Sequence, residues 1–542
     1  MANAGGGEQS FDVVIVGAGF SGLYGLHRLR ALGFSVRVYE AGEGVGGTWF
    51  WNRYPGARVD VESMEYCYSF SPELADEWEW SERYASQPEL LRYLNHVADR
   101  FDLRRDIQLE TRITAATFDE AAMRWRLSTN RGEAISARFV VMATGCLSIP
   151  KTPEFPGVEA FKGDVYSTSN WPMDGVDLTG KRVGVIGTGS SAIQAIPVIA
   201  AQAKHLTVFQ RTPNFSMPSN NGPIDPVVAE DWRINRVQYK NEARASGFGI
   251  RMVDATTIAA FDVSEEERRK TYEERWGIGG FAIVGAYADL LASKPANDTA
   301  VAFVGEKIRS IVKDPAVAEL LTPKTYPIAT KRLCVDTGYY ATFNRPNVSL
   351  VDVSKAPVEE ITASGLRTGG KDYEFDVIVF AIGFDAMTGA LTGIDIKGRG
   401  GASLRQKWAD GPRTYLGLMV AGFPNLFTIT GPGSPSVLCN MAVAIEQHID
   451  WVTECIAWLS DRQVGAIEAT DAAQDEWVAH VNEVGDGTLF PLANSWYMGA
   501  NVPGKARVFM PYIGGFPVYR EKCDEVAAKG YEGFTLTSAA LA

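Results

Sequence analysis

Residues 11–22 read Phe-Asp-Val-Val-Ile-Val-Gly-Ala-Gly-Phe-Ser-Gly, and this stretch decides the fold of the chain. An apolar strand runs into a turn with three glycines, Gly17, Gly19 and Gly22, and a helical stretch follows to about Leu32. In such a unit the first glycine makes the tight turn, the second lets a pyrophosphate approach the backbone, and the third lets helix and strand pack closely. The helix N-terminus attracts the phosphates. This context predicts a βαβ dinucleotide-binding unit rather than an ordinary tight turn.

A second apolar strand, residues 34–39, ends at Glu40, which lies 23 residues after Gly17. A carboxylate at this place accepts hydrogen bonds from the hydroxyl pair of a ribose. The same carboxylate would repel a 2′-phosphate. We therefore expect the first unit to bind an adenosine nucleotide that lacks this phosphate.

A second strand–turn–helix unit begins with residues 182–186 and continues through Gly187-Thr188-Gly189-Ser190-Ser191-Ala192 into a helix that reaches about Ala203. The residue 23 positions after Gly187 is Gln210, and Arg211 follows it. A neutral amide and a guanidinium accept a 2′-phosphate where a carboxylate would not. This unit therefore predicts an NADP site, with alanine at the third glycine position as the pattern permits.

Two dinucleotide sites in one chain indicate two cofactors that meet. A hydride from nicotinamide needs an acceptor, and the usual acceptor bound to protein is a flavin. We assign FAD to the first site and NADPH to the second. The six cysteines are scattered and form no CxxC pair, which excludes the dithiol acceptor of disulfide reductases. Oxygen is then the leading candidate for the electrons.

The rest of the chain predicts an α/β fold of two Rossmann-like domains with a helical insertion. Strand 376–380 leads into Ala381-Ile382-Gly383, and strand 139–142 leads likewise into Ala143-Thr144-Gly145. Such ends let the backbone pass close to a cofactor or change domain. We expect the FAD domain to contain residues 1–150 and 376–542, the NADP domain residues 151–224 and 326–375, and the helical insertion residues 225–325.

Composition limits the class of protein. The chain has 542 residues, 46% hydrophobic and 22% charged, with a net charge of −13, which argues against a nucleic-acid partner. No secretion signal and no run of ~18 apolar residues is present, so we expect a cytoplasmic enzyme without a membrane span. The five histidines are isolated, so no metal is expected. We expect small-molecule partners and a monomer or weak homo-oligomer.

Four further segments resemble the type I Baeyer–Villiger monooxygenases, and the likeness runs from about Phe11 to about Leu536. The most specific is Gly-Gly-Thr-Trp-Phe-Trp-Asn-Arg-Tyr-Pro-Gly-Ala-Arg-Val-Asp, residues 46–60. The others are residues 161–172, 331–345 and 495–505. Residues 161–172 resemble the family pattern Phe-x-Gly-x-x-x-His-x-x-x-Trp-Pro, with Ser167 in place of the histidine.

The resemblance implies that NADPH and O2 are used to convert a ketone into an ester or lactone through a C4a-peroxyflavin, with side activity on sulfides. It implies Asp60 and Arg332 as the catalytic pair. The peroxide and its ketone adduct are both anionic, so a fixed cation stabilises charge where it develops. Arginine does not lose its proton and has a planar donor fork, and Asp60 would orient it.

The resemblance also implies the remaining site residues. Flavin contacts fall on Gly47, Trp49 and Tyr66, in addition to Gly17, Gly19, Gly22, Glu40 and Asp60. NADP contacts fall on Thr188, Gly189, Ser190, Ser191, Gln194, Arg211, Thr212, Lys331 and Arg332. Trp496 matches an indole near the nicotinamide end. The ketone pocket is assigned to Ser436, Leu438 and Met441, with Cys439 as a further lining residue rather than a nucleophile.

Two other functions stay open from the sequence. One is another flavin monooxygenase, an N-hydroxylase or a heteroatom oxygenase, which would share both glycine-rich sites. Product analysis with ketones and amines discriminates it. The other is a non-catalytic NADP sensor that keeps FAD for structure. It would bind both nucleotides and show no NADPH consumption stimulated by substrate.

Overall fold

The strand Gln9–Val16 lies inside the first sheet of the computed structural model, which describes residues 9–253 and 256–538. It pairs in parallel with Val36–Tyr39 on one side and with Ala134–Met142 on the other. Val13, Val14 and Ile15 are fully buried. A strand covered on both faces needs such an unbroken apolar run, and the run seen in the sequence is that strand.

Within the described residues the first sheet has eight strands. In spatial order they are Asp395–Lys397, Ile113–Asp119, Arg124–Thr129, Ala134–Met142, Gln9–Val16, Val36–Tyr39 and Ile107–Gln108, and Leu426–Thr428 also pairs with Ala134–Met142. The helices of this part are Phe20–Ala31, Thr48–Trp51, Pro72–Glu77, Gln87–Arg100, Gly389–Thr392, Leu404–Lys407, Met441–Asp461, Asp471–Asp486 and Phe516–Ala528. A small hairpin-like sheet joins Val464–Ala469 to Phe534–Ser538.

The second sheet is parallel and contains, in spatial order, Val348–Asp352, His205–Gln210, Arg182–Ile186, Val377–Phe380 and Asp164–Ser167. The helix Ser190–Gln202 follows its glycine turn, and the short helix Tyr339–Thr342 lies beside that helix. A three-stranded antiparallel sheet adds Val358–Thr362, Gly365–Thr368 and Lys371–Glu374. Ser216–Pro218 pairs in parallel with Cys334–Asp336.

One strand lies in the other sheet from the one that the sequence division assigned. The boundary at residue 376 put Val377–Phe380 in the FAD domain, but the strand pairs with Arg182–Ile186 and with Asp164–Ser167. The chain therefore returns to the first sheet after Phe380. The apolar run predicts a buried strand, but both sheets offer a buried position and the run alone does not choose between them.

Helices fill the predicted insertion: Pro226–Ala245, Glu265–Ile278, Lys294–Ile311 and Pro315–Leu321. Ser264 and Glu267 form a capping box at the start of Glu265–Ile278. Asp314 caps the last helix with Pro315 at its first position.

The two chain crossings between the sheets lie side by side. Pro150 forms a bridge with Phe384, and the Lys151 amide donates to the Gly383 carbonyl at 3.0 Å. In the described ranges no helix is both long and apolar enough to cross a membrane.

Candidate active site

The two glycine turns are packed in the same way. A Cβ on Gly17 would lie 2.6 Å from the Ala143 carbonyl oxygen, and one on Gly187 would lie 2.3 Å from that of Ala381. Both glycines have positive φ, +106° and +116°. The tiny residues at the ends of the two neighbouring strands are therefore what each turn packs against, and a side chain at either glycine would break this contact.

The first turn approaches a second glycine loop. A Cβ on Gly19 would lie 3.3 Å from the Gly47 Cα, and a Cβ on Gly22 would lie 1.8 Å from the Gly17 carbonyl oxygen. Gly47 itself has φ of +53°. These close backbone approaches fit a pyrophosphate that is bound by main-chain N–H groups at the start of the helix Phe20–Ala31.

Glu40 lies at the carboxyl end of Val36–Tyr39 and is 5% exposed. Its carboxylate accepts hydrogen bonds from the Ala18 and Gly42 amides, both at 2.8 Å. A carboxylate offers about four acceptor positions, so these bonds hold it against the turn and leave capacity for a ribose.

Trp49 and Tyr66 meet edge to face, with ring centroids 5.9 Å apart at 82°. Phe20 packs against Tyr66 at 5.2 Å, so the three rings join the glycine turn to the loop of residues 46–66. The Trp49 indole N–H is buried without a hydrogen-bond partner in the described residues. A buried donor of this kind needs an acceptor, which a flavin would supply.

The second turn leaves room for a ligand. A Cβ on Gly189 would meet no atom of the described chain within 4 Å. Ser190 begins the helix Ser190–Gln202 and Ser191 follows, both half-buried. This helix N-terminus faces open space, which fits the phosphates of a dinucleotide.

Thr188 supports the turn instead of facing outward. It is 5% exposed, and its hydroxyl donates to the Thr212 carbonyl at 2.9 Å. The bond ties the glycine turn to the residue after Arg211.

Arg211 and Lys331, far apart in sequence, lie in one cationic region. Neither forms an ion pair within the residues that the structure describes, and Arg211 is exposed. Burial, and then the positive charge of Arg211, lower the pKa of Lys331 to about 8. Two cations that repel each other and lack a carboxylate partner fit an anionic ligand such as a 2′-phosphate.

Lys151 belongs to the same region, and the sequence analysis missed it. Burial and then Arg211 lower its pKa, and its ammonium donates to the Asn501 carbonyl at 2.7 Å. An isolated lysine between two prolines gives no signal in the sequence.

Gln194, assigned to NADP, joins the two domains. Its side-chain oxygen accepts from the Tyr54 hydroxyl at 2.9 Å, and its amide donates to the Arg58 carbonyl at 3.1 Å. The amide therefore holds the helix Ser190–Gln202 against the loop of residues 46–60.

Arg332 and Asp60 form a two-point ion pair. The Arg332 Nε and Nη2 donate to the two Asp60 oxygens at 2.9 and 2.7 Å. Each side chain is 25% exposed. Burial opposes the charge, but the Asp60 carboxylate outweighs it and raises the pKa of Arg332 above its ordinary value.

Other groups hold the opposite side of the guanidinium. Arg332 Nη1 donates to the Val437 carbonyl at 2.7 Å, and the Phe281 ring lies 4.7 Å from the guanidinium carbon. Tyr497 also lies beside Arg332, and burial raises the pKa of this phenol to about 12. Of these partners only Val437 and Tyr497 lie in segments that the sequence singled out.

The loop of residues 436–441 reaches the pair through Val437. Ser436 is fully buried and donates to the Thr430 carbonyl at 2.8 Å, so its hydroxyl shapes the loop. Leu438 and Met441 are half-buried in an apolar cluster that also contains Trp496. Cys439 is buried, and burial raises the pKa of its thiol well above the ordinary range, which does not suit a nucleophile.

Trp496 stands on the short turn Trp496–Met498, with its ring 4.2 Å from that of Tyr497. Tyr497, the middle residue of this turn, lies beside Arg332, so the turn borders the Arg332–Asp60 ion pair.

Ser167 ends an edge strand of the second sheet, in register with Phe380. Its hydroxyl bonds the Ser169 hydroxyl at 2.8 Å, inside its own turn. The next residue along, Ala381, packs on the Gly187 turn. A side chain at position 167 is thus near a place where the chain passes between the two sheets. The Ser167 hydroxyl forms its hydrogen bond within its own turn.

Known proteins resemble this arrangement. A profile of the family described as pyridine nucleotide-disulphide oxidoreductase matches residues 14–275. All six cysteines are free thiols. A Baeyer–Villiger monooxygenase of Pseudooceanicola batsensis is 42% identical over 529 residues, covering 96% of this chain and 95% of that one.

The chain belongs to the Baeyer–Villiger monooxygenase family. It is an α/β flavoprotein monooxygenase whose cofactors are FAD and NADPH. The same family includes a solved steroid monooxygenase bound to NADP, which is 54% identical with a TM-score of 0.94, covering 98% of this chain and all of that one. A phenazine N-monooxygenase of Lysobacter antibioticus is 42% identical over 539 residues, 98% of each chain.

Proposed function

We propose that this monooxygenase converts an apolar ketone into an ester or lactone with NADPH and O2. The observation that supports it best is the Arg332–Asp60 pair, which places a permanent cation against the Val437 carbonyl, on the loop that also carries the apolar Leu438 and Met441. Bound FAD would supply the chemistry of oxygen activation. The residues of this chain would bind, orient and stabilise charge.

Arg332 is held so that two donors remain. A guanidinium has five N–H groups. Two bond Asp60 and one bonds the Val437 carbonyl. The remaining N–H groups can face the negative charge that develops when the carbonyl carbon of a ketone is attacked. A donor fixed in advance costs no reorganisation in the transition state.

The nucleotide residues divide their roles. Gly17, Gly19, Gly47 and Glu40 would hold FAD, with Trp49 and Tyr66 against its ring. Gly189, Ser190 and Ser191 would hold the NADP pyrophosphate, and Arg211 and Lys331 its 2′-phosphate. Thr188, Thr212 and Gln194 would act by holding the turn and the helix in place.

N-hydroxylation of an aromatic heterocycle is the second candidate, because the phenazine N-monooxygenase is as similar to this chain as the Baeyer–Villiger relative, at 42% identity for each. An anionic adduct, which Arg332 would stabilise, forms on a ketone and not on a ring nitrogen that attacks as the nucleophile. The cationic site therefore favours the ketone.

The test is product analysis. The holoenzyme would be incubated with NADPH, O2 and a panel of cyclic, aryl and steroid ketones, with phenazine and an aliphatic amine in parallel. We expect ester or lactone by mass spectrometry and NADPH loss in proportion. N-oxide from phenazine without ester from any ketone would overturn the proposal. Sulfide oxidation is expected as a side activity and does not discriminate.

Location and assembly are part of the same proposal. Six free thiols and an NADPH requirement fit the reducing cytoplasm. We propose a monomer or weak homo-oligomer with only small molecules, a ketone and O2, as partners.

A further inference from the structure

Three separate chain segments meet on the turn of residues 62–67, just after Asp60. The first is the ketone-side loop, residues 436–441, which arrives through Asn440. The side-chain amide nitrogen of Asn440 donates to the Glu65 carbonyl at 3.0 Å. Its side-chain oxygen accepts from the Ala442 main-chain N–H at 3.1 Å and so caps the helix Met441–Asp461. The turn therefore fixes the origin of that loop.

The second segment is the insertion helix Pro226–Ala245. It reaches the turn through Lys240, which is only 8% exposed. The Lys240 ammonium donates to the Glu65 carbonyl at 3.0 Å and to the Cys67 carbonyl at 2.9 Å. Its donors are thus directed to the main chain.

The third segment is residues 246–253, named here the insertion loop. The main-chain N–H of Arg251 donates to the Glu65 carboxyl at 3.1 Å. The main-chain N–H of Asn440 donates to the Phe248 carbonyl at 2.8 Å. A Cβ on Gly249 would lie 2.6 Å from the Cys439 sulfur, so the two loops are in close contact. The insertion loop is held by the Glu65 side chain on one side and by residues 439–440 on the other.

The Glu65 carboxyl is 3% exposed and forms no ion pair in the described ranges. Lys240 bonds carbonyls, and the Arg251 guanidinium turns to Glu242 at 3.0 Å and lies over the Tyr239 ring. Glu62, the remaining charged neighbour, pairs with Arg83 at 2.6 Å. A buried carboxylate without a cation partner is unfavourable, and the neutral acid is the form that this place suits.

We propose that Glu65 is a positioning residue that seats the insertion loop against the ketone-side loop, and that it does so as the neutral acid. The proposal rests on the proposed function only in one respect, which is that residues 436–441 are called the ketone-side loop. The substrate specificity of the enzyme would then depend on the closed position of the insertion loop, which Glu65 controls from outside the pocket.

The pH dependence has a definite sign. Burial raises the pKa of Glu65 from 4.5 to about 7, while backbone N–H from Arg251 and the charges of Lys240 and Arg251 lower it and Glu62 raises it. When the loop lifts, Glu65 meets water and its pKa returns toward 4.5. Closing therefore takes up a proton, so the open fraction grows as pH rises from about 4.5 to about 7 and is constant above. The opening equilibrium should change by about 10² over that range.

Hydrogen exchange of the Arg251 amide in the holoenzyme with FAD and NADP measures this opening without any substrate. Rates between pH 5 and 8 would be corrected for the intrinsic pH dependence of amide exchange. In the wild type we expect protection to fall as pH rises toward 7. Glu65→Gln keeps an acceptor and has no charge, so it should protect Arg251 equally at every pH. Asp76→Asn is the matched control, since Asp76 is exposed and pairs with Arg236 of the helix Pro226–Ala245, which also carries Lys240.

Cyclohexanone as a probe ketone supplies a second readout. We expect the KM for cyclohexanone to change over the same pH range in the wild type and to stay constant in Glu65→Gln. The rate of flavin reduction by NADPH should be equal in the two proteins. The proposal is overturned if wild type and Glu65→Gln show the same slope of Arg251 protection, or if neither shows any slope. Failure to form ester from any ketone would overturn the proposed function alone, because the exchange result does not involve the ketone.

Discussion

Arg332 and Asp60 are joined by two nearly equal hydrogen bonds, 2.7 and 2.9 Å, across 272 residues of chain. A fork-to-fork pair fixes the plane of the guanidinium as well as its position. Asp60 ends the loop of residues 46–60, and Arg332 follows the insertion and precedes the strand Cys334–Asp336. One ion pair thus links the first domain to the segment that follows the insertion.

Replacing Arg332 should abolish most ester formation. Arg332→Ala removes the cation, and Arg332→Lys keeps a charge but not the fork that bonds both Asp60 oxygens and the Val437 carbonyl. Loss of one such electrostatic group costs ~10²–10³ in kcat. Ester yield and anaerobic flavin reduction by NADPH would be measured together, and we expect reduction to survive. Arg126→Ala, an exposed arginine paired with Asp119, is the control. Wild-type turnover in Arg332→Ala would remove this residue from the mechanism.

Arg211 should determine the choice between NADPH and NADH. A charge-assisted contact to the 2′-phosphate contributes roughly 1.5–3 kcal/mol, so Arg211→Ala should raise the KM for NADPH about 10- to 150-fold and leave that for NADH nearly unchanged. Lys204→Ala, an exposed cation just before the strand His205–Gln210, serves as the control. Equal losses with both coenzymes would mean that Arg211 contacts another part of the nucleotide.

The affinity for NADPH should depend on pH through Lys331, whose pKa lies at about 8 because of burial and of Arg211. Below pH 8 the ammonium is charged and attracts the 2′-phosphate. Above pH 8 it loses its proton, so the KM for NADPH should rise, by at most about tenfold per pH unit, while that for NADH should not. Lys331→Arg keeps its charge and should remove the rise. A parallel rise for both coenzymes would contradict this assignment.

Ser167→His should alter the coupling of the domains. The Ser167 hydroxyl bonds Ser169 within its own turn, whereas an imidazole is longer and could reach across the crossing near Ala381. We expect the wild type to reduce its flavin more slowly, or to release more hydrogen peroxide, than the Ser167→His variant, because domain closure commonly limits turnover. Stopped-flow reduction and peroxide yield decide it, with Asp164→Asn, at an exposed position of the same strand, as the control. If neither quantity differs, position 167 has no part in domain motion.

The local parts of this site follow from the sequence. A glycine turn needs a strand before it and a helix after it, and both lie in short segments around Gly17 and Gly187. The tiny residues that pack on the two turns, Ala143 and Ala381, stand at the ends of other strands. The assignment of the nucleotide without a 2′-phosphate to the Glu40 site and of NADP to the Arg211 site follows from the charges of these residues alone. The identity of Arg332 and Asp60 came through family resemblance, since a lone arginine and a lone aspartate carry no spacing signal.

Tertiary structure decided the rest. Whether Val377–Phe380 joins the first or the second sheet depends on the strands between which the fold places it, and its apolar run fits both sheets. Several contacts join segments that are far apart in the chain. They are the contacts of Lys151, those of Phe281, and those among Glu65, Asn440 and Arg251. The charge state of Glu65 and Lys331 likewise depends on burial and on neighbours brought together by folding. Sequence patterns report what residues within one element require, whereas the pKa of a side chain and the position of a loop depend on the atoms that the fold places around them.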